Sequence, residues 1–266
     1  MPELFQSFLG SPVIRRAVDK GTADIRLIDI RDYAGGSFRH IDDSPFGGGP
    51  GMVMRAEPVL KAIQAAGPGF TAAMTPSGVP YTQAMAREFA DMDHLILVCG
   101  HYEGFDERAY TAVDRRVSVG DYVLTGGELP AQVVADSVIR LLPDVLGEGS
   151  TDEESFENGL LEYPQYTRPA ELSVPAKLVV PAELSVPAEL SVPAKLVEPA
   201  ELSVPASLVE PEKLVEPEKT RVLEVPEVLR SGNHAAIAAW RREKALEVTA
   251  KFRPDLMKEY YEQHHP

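Results

Sequence analysis

A proline recurs at every sixth position between Pro169 and Pro217, and this repeat restricts the possible folds more than any other feature. The repeating unit is Pro-Ala-Glu-Leu-Ser-Val, with variants such as Pro-Ala-Lys-Leu-Val-Glu. Proline fixes φ and lacks a backbone donor, so this spacing breaks a helix and removes hydrogen bonds from a strand. A hexapeptide β-helix is the alternative, but its stacked strands would lose a donor at every turn. Residues 169–219 are therefore predicted to form an extended, disordered linker.

The residues before the repeat alternate between short apolar runs and segments with helical spacing. Strands are predicted over residues 24–33, 70–76, 94–100 and 115–124, and helices over residues 58–67, 81–90 and 129–143. Strands that alternate with helices indicate an α/β domain with a mostly parallel sheet, here over residues 1–168. Ligands bind such sheets beyond the carboxyl ends of the strands, and Gly100, Gly126 and Gly127 follow predicted strands there.

The residues after the repeat, 220–266, are predicted to form a small helical domain. Ser231 or Asn233 can cap a helix whose apolar stripe consists of Ile237, Trp240, Ala245 and Val248. The whole chain has a net charge of −15, and residues 1–168 hold 14 basic against 25 acidic residues. Residues 220–266 hold 8 basic against 7 acidic ones, with the basic residues clustered. A local basic face can bind a phosphate backbone, and a solvated amphipathic helix is the equal alternative.

Several features exclude other classes of protein. The single cysteine, Cys99, lies in an apolar run, which rules out an internal disulfide and fits a structural thiol in a reducing cytoplasm. The sequence contains neither an apolar run as long as a membrane span nor a signal-peptide pattern at its start. The glycine-rich stretch from Ser44 to Met52 matches neither a P-loop nor a dinucleotide fingerprint, so it is shaped around another ligand or another part of the chain. Residues 1–168 contain only two lysines, which disfavours phosphoryl transfer.

Six stretches combine into a specific pattern: residues 42–54, 97–108, 118–131, 136–147, 154–169 and 225–246. Together they resemble the bacterial tRNA (guanine-N(1)-)-methyltransferases of the SPOUT, or α/β-knot, superfamily. The resemblance covers the chain except for the proline repeat. It implies a trefoil-knotted α/β methyltransferase domain over residues 1–168, which would be a rare exception to the absence of knots in proteins. It also implies a small C-terminal helical domain that binds tRNA.

The resemblance implies S-adenosyl-L-methionine as cofactor, bound in a bent conformation within the knot. It assigns cofactor binding to Met74, Thr75, Pro76, Gly100, Tyr102, Glu103, Val119, Gly120, Asp121, Tyr122, Val123, Leu124, Gly126 and Gly127. Glycines allow the threaded loops to approach closely, and a carboxylate at Glu103 or Asp121 would suit the positive sulfonium. The alternative is that these glycines only serve turns. Mg²⁺ is an expectation from the family alone, and we assign no metal-binding residue.

The resemblance implies that N1 of the guanosine immediately 3′ of the tRNA anticodon is methylated. Glu154 stands where the family has an aspartate general base, after a segment about one residue shorter, and Arg140 matches the arginine that stabilises charge on O6. The alternatives are that Arg140 is a helix-surface residue and that Glu154 is one acid of an acidic loop. The target base must be flipped into the pocket. Substrate binding is assigned to Gly51, Arg241, Arg242, Lys244 and Lys251.

The resemblance further implies a homodimer with the active site at the subunit interface, and a cytoplasmic enzyme. Two other functions stay open: a non-catalytic RNA-binding relative that keeps the knot as a dimer scaffold, and another SPOUT methyltransferase with a different RNA target. Retention of Arg140 and of a carboxylate at Glu154 disfavours the first, and the stretch 231–243 disfavours the second. Family chains begin with a strand before the turn that corresponds to residues 1–5 here. We therefore expect an apolar, β-rich segment of about six residues upstream of Met1 in the natural reading frame.

Overall fold

The computed structural model describes residues 1–147, 149, 153–176 and 220–264. They belong to two compact units, Met1–Leu160 and Leu161–Pro266. The sequence analysis placed the end of the first domain at residue 168, where the composition changes. Residues 161–168 lie in the second unit instead, because the Tyr163 ring lies against the Arg241 guanidinium and Tyr166 contacts Trp240.

The first unit begins with α1 (Gln6–Leu9) and α2 (Pro12–Asp19), followed by a short antiparallel ladder of β1 (Asp42–Asp43) and β2 (Val53–Met54). Its central elements are α3 (Ala56–Ala66), β3 (Phe70–Pro80), α4 (Gln83–Ala90), β4 (Leu95–Cys99), β5 (Arg115–Ser118) and α5 (Glu128–Ile139). The strand β3 pairs in parallel with both β4 and β5, which gives the order β4-β3-β5. The predicted α/β architecture with a parallel sheet is confirmed, as are its three helices apart from small shifts at their ends.

Side chains alternate between the two faces of this sheet and build a separate apolar cluster on each. On one face Ala73 and Val98 pack with Val59 of α3. On the other face Ala72 and Val117 pack with residues of α4 and α5, including Phe89, Ala131, Val134 and Val138. Successive residues of a strand point to opposite faces, so helices on both sides are needed to cover the sheet. This packing fixes the carboxyl ends of the three strands relative to one another.

Two predicted strands differ from the structure. Residues 24–29 belong to no helix and pair with no strand among the described residues, and Ile30–Tyr33 form a 3-10 turn. A cavity of about 740 Å³ is lined by both residues 22–31 and β4, and a strand needs the hydrogen bonds of a neighbouring backbone. The predicted strand 115–124 ends at Ser118, whose hydroxyl group binds the backbone of Gly120 and turns the chain away from the sheet.

The second unit contains β6 (Glu171–Pro175), β7 (Thr220–Glu224), α6 (Glu227–Arg230), α7 (His234–Phe252) and α8 (Pro254–His264). The side-chain oxygen of Asn233 accepts a hydrogen bond from the Ala236 amide at 3.2 Å and caps α7, one of the two caps that the sequence offered. Within the described ranges, no helix is long and apolar enough to span a bilayer.

The strands β6 and β7 pair antiparallel, with Glu171 opposite Glu224 and Pro175 opposite Thr220. The first repeat unit is therefore a paired strand, where the sequence analysis expected an unpaired linker. A proline at the end of a two-stranded ribbon removes at most one ladder donor, so Pro175 is compatible with this pairing. The rest of the predicted linker, residues 177–219, lies outside the described residues.

Shortening the repeat tests the linker prediction directly. If the chain binds and uses the cofactor that the resemblance implies, we expect that replacing residues 177–219 by about ten Gly/Ser residues will leave cofactor binding intact and turnover within a few-fold, because loop-closure entropy depends only weakly on length. Calorimetric titration with S-adenosyl-L-methionine and steady-state kinetics of both chains measure this. Loss of cofactor binding in the shortened chain would show that the repeat packs against the first unit.

Candidate functional site

A pocket of about 350 Å³ opens at the carboxyl ends of the three parallel strands. Its walls are residues 74–77 of β3, residues 100–105 after β4, and residues 116–120 and 122–127 around the end of β5. Every residue that the sequence analysis assigned to the cofactor lines this pocket, with the exception of Asp121. Asp121 is exposed to solvent. The structure thus brings together residues of β3 and of two loops that are distant in the sequence.

Glycines allow two of these loops to touch. The Gly127 amide donates a hydrogen bond to the Gly100 carbonyl at 2.7 Å. A Cβ atom on Gly127 would lie 2.7 Å from both Cys99 Cα and the Gly100 nitrogen, and one on Gly126 would lie 2.7 Å from the His101 ring. Real Cβ atoms do not approach backbone this closely, so only glycine permits the contact.

The glycine-rich segment 44–52 packs against another part of the same pocket. Gly51 has φ +81°, and a Cβ atom there would lie 2.5 Å from the Glu103 carboxylate. The Glu103 amide donates to the Met52 carbonyl at 3.0 Å. Tyr102 has φ +59°, a left-handed conformation that costs free energy in a non-glycine residue and is found preferentially at functional sites. The segment is therefore shaped around a pocket loop.

A buried carboxylate that the sequence analysis did not assign lies behind these loops. Glu128, the first residue of α5, has a side chain only 3% exposed, and its Oε1 lies 2.6 Å from His101 Nε2 and 2.8 Å from the Met1 ammonium. Burial raises the pKa of Glu128, but hydrogen bonds from the ammonium and from His101 outweigh it, and the pKa falls below its ordinary value. In the sequence, the only indication that Glu128 has a functional role is its position directly after Gly126 and Gly127.

The thiol of Cys99 lies close to this carboxylate. Burial, together with the negative charge of Glu128, raises the pKa of Cys99 to about 12. The thiol is therefore protonated at neutral pH and is a poor nucleophile, as expected for a structural cysteine.

Arg140 and Glu154 form a bidentate ion pair. Arg140 Nη1 donates to Glu154 Oε2 at 2.7 Å, and Nη2 donates to Oε1 at 2.5 Å, with the side chains 27% and 28% exposed. The hydrogen bonds from Arg140 lower the pKa of Glu154, burial raises it, and the nearby Arg87 lowers it again, so the pKa is below its ordinary value. The two residues that the sequence analysis assigned to catalysis are thus in direct contact, in a position half open to solvent.

The ion pair and the pocket lie at opposite ends of α5. Glu128 begins this helix and contacts the pocket residue His101, whereas Arg140 follows its last residue. A rise of 1.5 Å per residue separates the two ends by roughly 18 Å. One chain by itself therefore does not bring Arg140 and Glu154 to its own pocket.

Four basic residues that the sequence analysis assigned to substrate lie on α7: Arg241, Arg242, Lys244 and Lys251. By helical periodicity Arg241, Lys244 and Lys251 share one side of α7. Arg242 donates to the Tyr260 hydroxyl at 3.1 Å, and Lys244 pairs with Glu247 at 2.6 Å. Arg242 and Lys251 are exposed, while Arg241 and Lys244 are half-buried. Over the ranges that the structure covers, no group of three or more His, Cys, Asp or Glu side chains could hold a metal ion.

The sequence matches the family described as tRNA (Guanine-1)-methyltransferase TrmD over residues 1–189 and 197–259. Among curated proteins, it is similar to the tRNA (guanine-N(1)-)-methyltransferase of Moorella thermoacetica, with 46% identity over 96% of this chain and 86% of the relative. The proteins of the same name from Geobacillus kaustophilus and Geobacter sulfurreducens are 41% and 43% identical. Those alignments cover 97% and 96% of this chain, and 89% and 87% of the relatives.

Proposed function

The chain belongs to the tRNA (guanine-1)-methyltransferase family and is a methyltransferase, and we propose that it methylates N1 of the guanosine immediately 3′ of the anticodon in tRNA, with S-adenosyl-L-methionine as methyl donor. The observation that carries the proposal is the ion pair of Arg140 and Glu154. The Glu154 carboxylate can accept a hydrogen bond from the N1–H group of guanine. The adjacent Arg140 guanidinium can donate a hydrogen bond to O6. Adenine has the opposite pattern along this edge, so the pair favours guanine.

The pocket at the ends of the strands suits the cofactor. Its volume of about 350 Å³ lies within the usual range for small-molecule sites. The Glu103 carboxylate in its wall favours a positively charged ligand. In this proposal, backbone groups within residues 119–124 bind the adenine edge. When bound, the cofactor supplies an electrophilic methyl group on a positive sulfur. We assign the contacts of Gly127 with Gly100, and of Gly51 with Glu103, to the trefoil knot of the SPOUT fold.

Glu154 and Arg140 have different roles in the reaction of guanine. The Glu154 carboxylate accepts the N1 proton, and the freed electron pair of N1 forms the bond to the methyl carbon as the carbon–sulfur bond breaks. Negative charge that develops on O6 is stabilised by Arg140. Glu154 is ionised at neutral pH, as an ordinary glutamate is. The hydrogen bonds from Arg140 lower its pKa and so make it a weaker base until guanine displaces them. Guanine must displace part of the Arg140–Glu154 contact. The two side chains already lie side by side, as binding to the adjacent N1–H and O6 groups requires.

The separation of about 18 Å along α5 supports an active site built from two subunits. In the proposed homodimer, the Arg140–Glu154 pair of one subunit faces the cofactor pocket of its partner. Arg241, Arg242, Lys244 and Lys251 bind the phosphates of the anticodon stem, and the target guanosine is flipped out of its stack to reach the pocket. Gly51 lies against the pocket residue Glu103, close to where the flipped base would enter. Because tRNA is the substrate, we place the reaction in the cytoplasm.

A methyl-transfer assay on anticodon stem-loop transcripts tests the reaction. We expect labelled methyl groups on the transcript with guanosine 3′ of the anticodon and none on the matched transcript with adenosine there. Mass spectrometry of the digested RNA should identify the product as N1-methylguanosine. Methylation at another nucleotide would assign the chain to a different RNA target, and cofactor binding without transfer to any RNA would indicate a non-catalytic relative.

Subunit mixing tests the shared active site. With the cofactor near the wild-type KM, we expect the Glu154→Gln and Gly127→Ala chains each to be nearly inactive, and their mixture to regain activity. Random pairing makes half of the dimers mixed, each with one intact site, so about a quarter of the wild-type activity should return. The assay is turnover after the two chains are unfolded and refolded together, with each chain treated alone as control. If the site lay within one subunit, mixing would restore nothing.

A further inference from the structure

The buried pair of Glu128 and His101 lies between two loops of the cofactor pocket. We propose that Glu128 is a positioning residue that ties these loops together through His101 and thereby sets the affinity for the cofactor. This inference rests on the proposed function, since it assumes that the pocket binds S-adenosyl-L-methionine. It concerns a residue that does not touch the reacting groups.

The burial of Glu128 requires an explanation. Its side chain is only 3% exposed, and removing a carboxylate from water is costly unless the charge is paired and hydrogen-bonded. The Met1 ammonium, 2.8 Å from Glu128 Oε1, supplies part of the compensation. The N-terminal position in α5 supplies another part, because the helix dipole favours a negative charge there. An apolar residue of similar size would avoid the cost altogether. The position of the carboxylate therefore points to what it holds in place.

Glu128 holds the loop after β4 through the His101 ring. The ring nitrogen Nε2 lies 2.6 Å from Glu128 Oε1, and the side chain of His101 is largely buried against it. The His101 carbonyl accepts a hydrogen bond from the Gly104 amide at 3.0 Å, so the ring is anchored to the turn that contains the pocket residues Tyr102 and Glu103. A change in the position of the ring would move this turn.

The other oxygen of Glu128 lies beside the second loop. A Cβ atom on Gly126 would be only 2.7 Å from Glu128 Oε2, and Gly126 forms an isolated antiparallel bridge with His101. The next residue, Gly127, donates to the Gly100 carbonyl at 2.7 Å. One buried carboxylate thus contacts residues of both loops where they meet.

Three variants of the full chain separate positioning from general stability. We expect Glu128→Ala to weaken S-adenosyl-L-methionine binding by about 10- to 100-fold, the size expected for a lost hydrogen bond to a buried charge. Because Glu128 contacts neither substrate nor reacting atoms, kcat at saturating cofactor should stay within about threefold, and KM for the cofactor should rise. Glu128→Gln keeps an oxygen acceptor for His101 and should restore the affinity to within about threefold. Glu88→Ala, which removes an exposed carboxylate paired with Arg115, is the matched control and should change neither quantity.

Calorimetry gives the affinities, and hydrogen exchange of the cofactor-free chains gives an independent readout. Exchange should accelerate at residues 100–104 and 126–127 in Glu128→Ala but not in the helix α3. If Glu128→Ala does not fold, His101→Ala breaks the same link and should give the same local acceleration. The inference would be overturned by any of three results. These are unchanged affinity in Glu128→Ala, failure of Glu128→Gln to restore binding, and uniform acceleration of exchange over the whole first unit. If the wild-type chain did not bind the cofactor, the proposed function would fail, while hydrogen exchange would still test the link.

Discussion

Replacing Glu154 by glutamine is expected to lower kcat by about 10²–10⁴, the usual contribution of a general base. Glutamine keeps the shape of the side chain and can still hydrogen-bond Arg140, but it cannot accept the N1 proton. Affinity for S-adenosyl-L-methionine should barely change, because Glu154 does not line the cofactor pocket. Single-turnover kinetics at saturating tRNA, together with calorimetric titration of the cofactor, measure the two effects separately.

An exposed carboxylate elsewhere in the first unit provides the matched control for this prediction. Glu57 pairs with Lys61 on the surface of α3, so Glu57→Gln removes the same charge away from the Arg140 pair and should leave turnover nearly normal. Glu154→Asp keeps the carboxylate but shortens its reach by one methylene, and we expect partial activity. Near-normal turnover in Glu154→Gln would mean that another group removes the proton.

Replacing Gly127 by alanine is expected to weaken cofactor binding by up to about 10²-fold. Adding a methyl group to a close-packed contact costs about 1–3 kcal/mol, and about 1.4 kcal/mol corresponds to a factor of ten in affinity. The backbone of Gly127 has φ −82°, which alanine adopts without strain, so the added methyl group is the only change. That methyl group would lie 2.7 Å from Cys99 Cα and from the Gly100 nitrogen. Both are backbone atoms that cannot rotate away, so the two pocket loops must separate.

Two other glycines provide control variants for this prediction. Gly35 has no atom within 4 Å of an added Cβ, so Gly35→Ala should leave cofactor affinity unchanged. At Gly126 the nearest atoms belong to the side chains of His101 and Glu128, which can shift, so Gly126→Ala should have an intermediate effect. Calorimetric titration of the three variants gives the order of their affinities for the cofactor. Equal affinity in Gly127→Ala and Gly35→Ala would show that the contact between the loops does not shape the pocket.

The parts of the molecule that could be predicted from the sequence depend on local patterns. The periodicity of apolar residues predicted the three helices around the sheet and the strands β3 and β4, and one of the two predicted caps, Asn233, lies at the start of α7. Through the family resemblance, Gly100, Gly126 and Gly127 were expected to allow close approach of the loops, and the contacts of Gly126 and Gly127 agree with this expectation. Arg140 and Glu154 were assigned through a family resemblance, and their contact agrees with a joint role.

Other features depend on contacts between residues far apart in the sequence, which no local pattern contains. Residues 24–29 have the composition of a strand, but a strand exists only where a neighbouring backbone completes its hydrogen bonds. For the same reason the first repeat unit is a strand, because β7 lies beside it. Glu128 and His101 are 27 residues apart, and only burial between the two loops turns an ordinary acid into a charge that must be paired. Local propensity therefore determined where helices and strands form. Strand pairing and burial in the tertiary structure decided which strands pair with each other and which charged side chains become buried.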